Sequence, residues 1–180
     1  MELVLTNKVY RSILDECMTF PNVETGGILI GKKIDEQCIV APFSLGSGVR
    51  TLRTRIRYSP DVKWQQVYLE KLFKRYGVNY VGSYHRHPGN NCMPSSHDYK
   101  AACQIVTDPE WNVTEAIFPI VNLIGKKISF HPYYFTRNSR QFRLIGWHIV
   151  SPKDRLIKKV LKRGIDETKD HYPARAGLEN

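Results

Sequence analysis

The sequence predicts a single α/β domain in which a mixed sheet is covered by helices. Three observations carry that expectation. Segments of helical period alternate with strand-like ones, several strands are joined by turns of hairpin length, and no repeat or linker interrupts the 180 residues. A chain of that length buries a hydrophobic core as one unit.

The elements follow in order. Thr6 or Asn7 caps a first helix, because Val9, Ile13, Leu14, Cys17 and Met18 recur at helical spacing and Pro21 stops the run. GGILIGKK and EQCIVAPFSL read as two strands around a polar turn at Lys33-Ile34-Asp35, and a further strand covers Arg53 to Tyr58. Ser59-Pro60 opens a second helix with Val62, Leu69, Leu72, Phe73 and Tyr76 inward, and Gly77 ends it. VNYVGSYHRH is a strand, PGNNCMP a loop and SSHDYKAACQIV a third helix. VTEAIFPIVNLI, KISFHPYYF and FRLIGWHIV read as strands, with turns at Gly125-Lys126 and Arg137-Asn138-Ser139. Ser151-Pro152 starts a last, basic helix with Ile157, Val160 and Leu161 inward. The domain is expected over residues 1–163, with 164–180 a polar, flexible tail.

Composition narrows the class. With 42% hydrophobic and 24% charged residues the chain reads as an ordinary globular protein. Its first residues lack a basic segment followed by an apolar run, and AIFPIVNLI is far too short to span a membrane. A soluble cytoplasmic protein without a membrane partner is the expectation. Cys17, Cys38, Cys92 and Cys103 form no Cys-x-x-Cys pair and read as reduced thiols. The Asn112-Val-Thr sequon has no meaning without secretion. The net charge of +10 favours acidic partners, nucleic acid among them, but Lys and Arg are dispersed along the chain. In one cluster, Arg50, Arg53, Arg55 and Arg57, the last three alternate with Leu52, Thr54 and Ile56, as on a strand with one wet face. That face is either simply solvated or a docking surface. A second cluster is Lys158, Lys159, Lys162 and Arg163.

One segment concentrates the chemistry: Gly82-Ser83-Tyr84-His85-Arg86-His87-Pro88, then six residues, then Ser95-Ser96-His97-Asp98. Alternate strand residues share a face, so His85 and His87 can reach one metal ion. Asp98, in the first turn of the next helix, can add a carboxylate. Two imidazoles and one carboxylate leave a fourth tetrahedral position for water, the layout of a catalytic zinc site. Glu24, at a loop-to-strand junction before Gly26-Gly27, is the candidate proton carrier. Ser95 can donate to the oxyanion of a tetrahedral intermediate. Taken singly, each element has another reading. His-x-His can be two strand histidines, and Ser95-x-x-Asp98 can be a helix cap.

Jointly, a glutamate upstream of His-x-His, seven residues and Ser-x-x-Asp resembles the signature of the JAB/MPN (JAMM) metallopeptidases, with Pro88 to Pro94 as the seven and no departure from the pattern. Glu24 shortly before GGILIG, and Tyr80 to Tyr84 before His85, agree with the family as well, and the similarity covers about Met1 to Val150. The resemblance implies a cytidine-deaminase-like α/β/α sandwich with a mixed, curved sheet. It implies one zinc ion held by His85, His87 and Asp98, Glu24 as general acid/base and Ser95 at the oxyanion. Deaminases themselves use His-x-Glu and Pro-Cys-x-x-Cys, which this chain lacks. The chain looks like the compact bacterial members, which accompany ubiquitin-like proteins with operon-encoded conjugation enzymes, including in antiviral defence. The implied activity is isopeptide cleavage after a ubiquitin-like protein. Trimming a sulfur-carrier precursor and a RadC-like association with nucleic acid are the alternatives. Arg86, where many relatives have serine, should point away from the metal. Cys92 and His97 lie close, but the His-His-Asp set is complete without them. Such a set can also hold ferrous iron, while the glutamate and serine favour hydrolysis and hence zinc.

Overall fold

The computed structural model describes residues 1–89, 91–124 and 127–162. The expected tail at 164–180, Arg163 and the expected turn at Gly125-Lys126 lie outside the described residues. Chain order is β1 (Glu2–Thr6), α1 (Asn7–Thr19), β2 (Thr25–Asp35), β3 (Cys38–Leu45), β4 (Leu52–Arg53), β5 (Tyr58–Ser59), α2 (Val62–Tyr76), β6 (Asn79–Arg86), α3 (Ser96–Thr107), a 3₁₀ turn (Pro109–Trp111), β7 (Glu115–Ile124), β8 (Lys127–Thr136), β9 (Arg143–Leu144), β10 (Gly146–Val150) and α4 (Arg155–Leu161).

Eight strands form one sheet in the order β10-β1-β3-β2-β6-β7-β8-β9. The β1–β10, β1–β3 and β6–β7 pairs are parallel and the others antiparallel, so the sheet is mixed as expected. Alternate residues divide between two cores. Leu3, Leu5, Leu29, Ile117 and Val121 pack with Val9, Ile13 and Cys17 of α1. Val4, Ile28, Ile30, Ala116 and Phe118 pack on the other face with Leu69 and Leu72 of α2, Ala102 and Val106 of α3, and Ile157 and Val160 of α4. This is the expected α/β/α sandwich. Each fully buried aliphatic side chain contributes roughly 1.5–3 kcal/mol.

Several expected elements change. β1 was not foreseen as a strand. Its Leu3, Val4 and Leu5 are all fully buried, the unbroken apolar run of a strand between two parallel neighbours rather than an alternating one. It runs straight into α1, where the Thr6 hydroxyl accepts from the Val9 amide at 3.2 Å. β2 continues through the expected turn to Asp35, whose carboxylate accepts from the Gln37 amide at 2.8 Å and moves the reversal to Glu36-Gln37. The strand expected from Arg53 to Tyr58 is a hairpin instead, β4 against β5, folded back because the Thr54 amide bonds the Arg57 carbonyl at 2.9 Å. Helix α2 is capped by Asp61 rather than Ser59, and Val62 is exposed, while Gly77 ends it at φ 62° as expected. Likewise α4 is capped by Asp154, three residues beyond Ser151.

FRLIGWHIV divides into β9 and β10, which stand at opposite ends of the strand order although only Ile145 separates them. The sheet therefore curls until its two edges approach. Trp147 of β10 packs 4.7 Å from the Phe130 ring of β8 and 5.3 Å from Tyr10 of α1, so the curl wraps α1.

Candidate metal and catalytic site

The site lies at the carboxyl end of β6, where the chain leaves the sheet to enter α3 and return in parallel as β7. A bulge aims the two histidines. Leu29 pairs with Gly82 and Ile30 with Tyr80, so Val81 is the extra residue of β6. Tyr80 and Ser83, three residues apart, consequently share a side and their hydroxyls meet at 2.6 Å. His85 follows in phase with Ser83, toward the face covered by α3, whereas Tyr84 joins the α1 core.

His85 and His87 bring their Nε2 atoms to 2.7 Å of each other. Asp98, in the first turn of α3, places Oδ1 3.0 Å from His85 Nε2 and Oδ2 3.3 Å from His87 Nε2. Its helix begins with a full capping box. The Ser95 hydroxyl accepts from the Asp98 amide at 3.3 Å, and the Ser95 amide donates to Asp98 Oδ2 at 2.5 Å. Capping and facing the histidines are thus not alternatives, because one carboxylate does both. Burial alone would raise the Asp98 carboxyl, but hydrogen bonds from His85 and His87 outweigh it and hold it well below the usual carboxylate range. Burial alone would lower the His87 imidazole, and its bond to Asp98 reverses that into a net rise.

The donor set fits a metal ion. His87 Nδ1 stands 3.3 Å from the Asn91 carbonyl, which can only accept, so Nδ1 carries a proton and Nε2 is the nitrogen left to turn a lone pair to a metal once it no longer donates to Asp98. One ligand atom from each of His85, His87 and Asp98 lies within 4.8 Å of the other two, a convergence of donors suited to a cation. Among the described residues this is the one group of three or more such side chains.

Glu24 immediately precedes Thr25, which pairs with Arg86, so it stands at the His87 end of β6. Burial raises the Glu24 carboxyl above its ordinary value, against the pull of His85 and His87. That shift moves a carboxylate toward the range where a general base works. Gly26 and Gly27 lie flat between β6 and β3. A Cβ on Gly26 would stand 2.2 Å from the Tyr84 carbonyl oxygen, and one on Gly27 2.0 Å from that of Leu45.

The segment carrying Glu24 is braced by residues that the sequence did not mark as part of the site. Its amide donates to the Thr54 carbonyl at 2.8 Å. The Thr25 hydroxyl meets Glu16 Oε1 at 2.5 Å and accepts from Arg53 Nε at 3.0 Å, while Arg53 also pairs with Glu16 at 3.1 Å and lies over the Phe20 ring. Arg53 therefore turns inward and does not share a wet face with Arg55 and Arg57, which are exposed. Arg86 points away from the histidines, as expected, and donates to the Val23 carbonyl at 3.2 Å. His97 is exposed, and the Cys92 thiol faces Ser129 at 3.7 Å, so neither joins the convergent group.

The family described as prokaryotic homologs of the JAB domain matches residues 6–144. A probable metalloprotease, y4qB, of Sinorhizobium fredii is 28% identical over 109 residues, which cover 59% of this chain and 66% of that protein. A CD-NTase/cGAS isopeptidase of Enterobacter hormaechei is 26% identical over 124 residues, 68% of this chain and 67% of that one. The solution structure of protein DSY2949 from Desulfitobacterium hafniense shares the fold with a TM-score of 0.63 at 18% identity, over 83% of this chain and 93% of its own.

Proposed function

Because the chain belongs to the family of prokaryotic homologs of the JAB domain, we propose that it is a zinc-dependent peptidase cutting the peptide or isopeptide bond after the C-terminus of a ubiquitin-like protein. The observation that carries the reading is the convergence of His85, His87 and Asp98, with Glu24 at the adjoining end of β2 beside the His87 end of β6. Residues 1–163 form the catalytic domain in this reading. No helix of the described residues is long and apolar enough to cross a membrane, and the reading places the enzyme in the cytoplasm.

His85, His87 and Asp98 would hold one zinc ion. Zinc at such a site lowers the pKa of a water to about 7 and polarises a carbonyl. Glu24 takes the proton of the attacking water and hands it to the leaving nitrogen, so the C–N bond breaks to a carboxylate and an amine. The Ser95 hydroxyl, which accepts from the Asp98 amide, keeps its own proton to donate to the carbonyl oxygen as that oxygen becomes negative. In this reading the substrate tail binds extended beside these groups, read by strand addition.

The isopeptidase named among the relatives favours release of a modifier from a conjugate over trimming of a sulfur-carrier precursor. It also favours a place beside a conjugation machinery in antiviral defence. Intact-mass analysis tests the reading on a panel of ubiquitin-like proteins, each with a C-terminal extension or a lysine-linked target. Release that requires zinc and is lost in Glu24→Ala is the expected result. Undiminished cleavage by Glu24→Ala removes Glu24 from the mechanism, and cleavage of linear extensions alone makes the enzyme a precursor-trimming peptidase.

A further inference from the structure

Asn122 is a polar side chain buried without exposure in the middle of β7, where an apolar residue would be the ordinary choice. Its Nδ2 donates to two carbonyls of the loop between His87 and α3, that of Gly89 at 2.9 Å and that of Asn91 at 2.8 Å. Both partners can only accept, which fixes the orientation of the amide. Among the described residues its Oδ1 has no partner, so the side chain retains an unsatisfied oxygen for the sake of its two donors.

The Asn91 carbonyl is the one that faces His87 Nδ1. A single oxygen thus joins a buried amide of β7 to the ring whose other nitrogen faces His85 and Asp98. The rest of the loop is held separately, by the Tyr133 hydroxyl donating to the Cys92 carbonyl at 3.0 Å.

We infer that Asn122 is a positioning residue for the metal centre: through the Asn91 carbonyl it fixes the tautomer and the aim of His87, and thereby sets the affinity for zinc. The inference rests on His85, His87 and Asp98 being the zinc ligands. A carbonyl held at a set point keeps the proton on Nδ1 and turns the Nε2 lone pair to the metal. With that carbonyl free to rotate, the ring loses both restraints. Partners of this kind are typically worth about 10–100-fold in metal affinity.

The test is a zinc dissociation constant, measured by competition with a chromophoric chelator, for wild type, Asn122→Leu, Asn122→Asp, Tyr133→Phe and His87→Ala. Near-ultraviolet circular dichroism selects a temperature at which each variant is folded. Asn122→Leu keeps the bulk and removes both donors, and Asn122→Asp turns an oxygen to the two carbonyls. Both should bind zinc about 10–100-fold more weakly. Asn122→Leu should regain cleavage when excess zinc is supplied, because its catalytic groups are intact. Tyr133→Phe loosens the loop without touching the Asn91 carbonyl and should stay within about threefold of wild type, a difference small on the scale of a tenfold change. Asn122→Leu binding as tightly as wild type, or Tyr133→Phe losing as much as Asn122→Leu, overturns the inference while the zinc site stands. Equal affinity in wild type and His87→Ala instead overturns the ligand assignment, and this inference with it.

Discussion

Gly26 lies directly across the β2–β6 ladder from His85, and a methyl group on its α-carbon would stand 2.9 Å from the His85 Cβ. Room for the histidine is therefore made on the neighbouring strand. The same methyl would meet the Tyr84 carbonyl oxygen at 2.2 Å, so the strands must part to admit it. Gly26→Ala should cost about 1–3 kcal/mol by overpacking and weaken zinc binding as His85 is displaced. Urea denaturation and a zinc titration of the same preparation check both. Unchanged zinc affinity would show that the displacement is absorbed away from His85.

Ser95 combines a cap and a proposed hydrogen-bond donor, and two substitutions separate the roles. Ser95→Ala removes both and should cost about 1 kcal/mol of stability, whereas Ser95→Gly should cost only a few tenths, roughly. Both lose the hydroxyl, and both should lower kcat by about 10²–10³-fold with zinc retained. A kcat loss that instead follows the melting temperature would assign Ser95 to structure alone.

Glu24 should give the pH profile its acidic limb. A base must be ionised to take a proton, so kcat/KM rises with pH through the Glu24 pKa of the zinc-loaded enzyme, whereas in the metal-free protein burial raises that carboxyl above the ordinary glutamate value. Glu24→Gln should abolish the limb and lower the rate by about 10²–10⁴-fold. The same shift has a sign for stability. A carboxyl whose pKa rises on folding destabilises the folded state once it ionises, so metal-free Glu24→Gln should melt above metal-free wild type at neutral pH and lose that advantage in acid. Zinc favours the ionised carboxylate, so the Glu24 pKa followed by NMR should fall on loading.

Arg53 ties the β4–β5 hairpin to α1 and to the strand that carries Glu24. Arg53→Ala leaves Glu16, only 17% exposed, without its cation and should destabilise by about 1–3 kcal/mol. Arg53→Met keeps a stem against Phe20 and should recover part of that loss. Both should lower kcat more than they raise KM, because what slackens is the backbone beside Glu24. Denaturation and steady-state kinetics on the two variants separate packing from positioning.

The candidate site was legible in the sequence because its parts act over short range. His85 and His87 share a strand face, and Ser95 and Asp98 share a helix turn, so spacing alone brings each pair together. The layered fold was legible for the same reason, from alternation and helical period. The supports were not. Asn122 meets Asn91 across 31 positions and Arg53 meets Glu16 across 37, and no local pattern marks an Asn or an Arg that folds inward. β1 carries no strand signal because Leu3-Val4-Leu5 does not alternate, a property it owes to neighbours 36 and more than 140 residues away. The Arg53-to-Tyr58 alternation matched a strand, but Thr54 turns that segment back on itself.

β1 lies between β3 and β10, and β10 follows it by more than 140 residues in the sequence. Until residue 150 has emerged, β1 offers an unpaired edge of buried Leu, Val and Leu, the kind of surface on which nascent chains adhere to one another. Completion of the domain therefore waits on a contact between strands more than 140 residues apart, and should be slow for the domain's size. A protein ended at residue 144, where the family match stops, would keep every candidate metal ligand and yet lack the strand that shields β1.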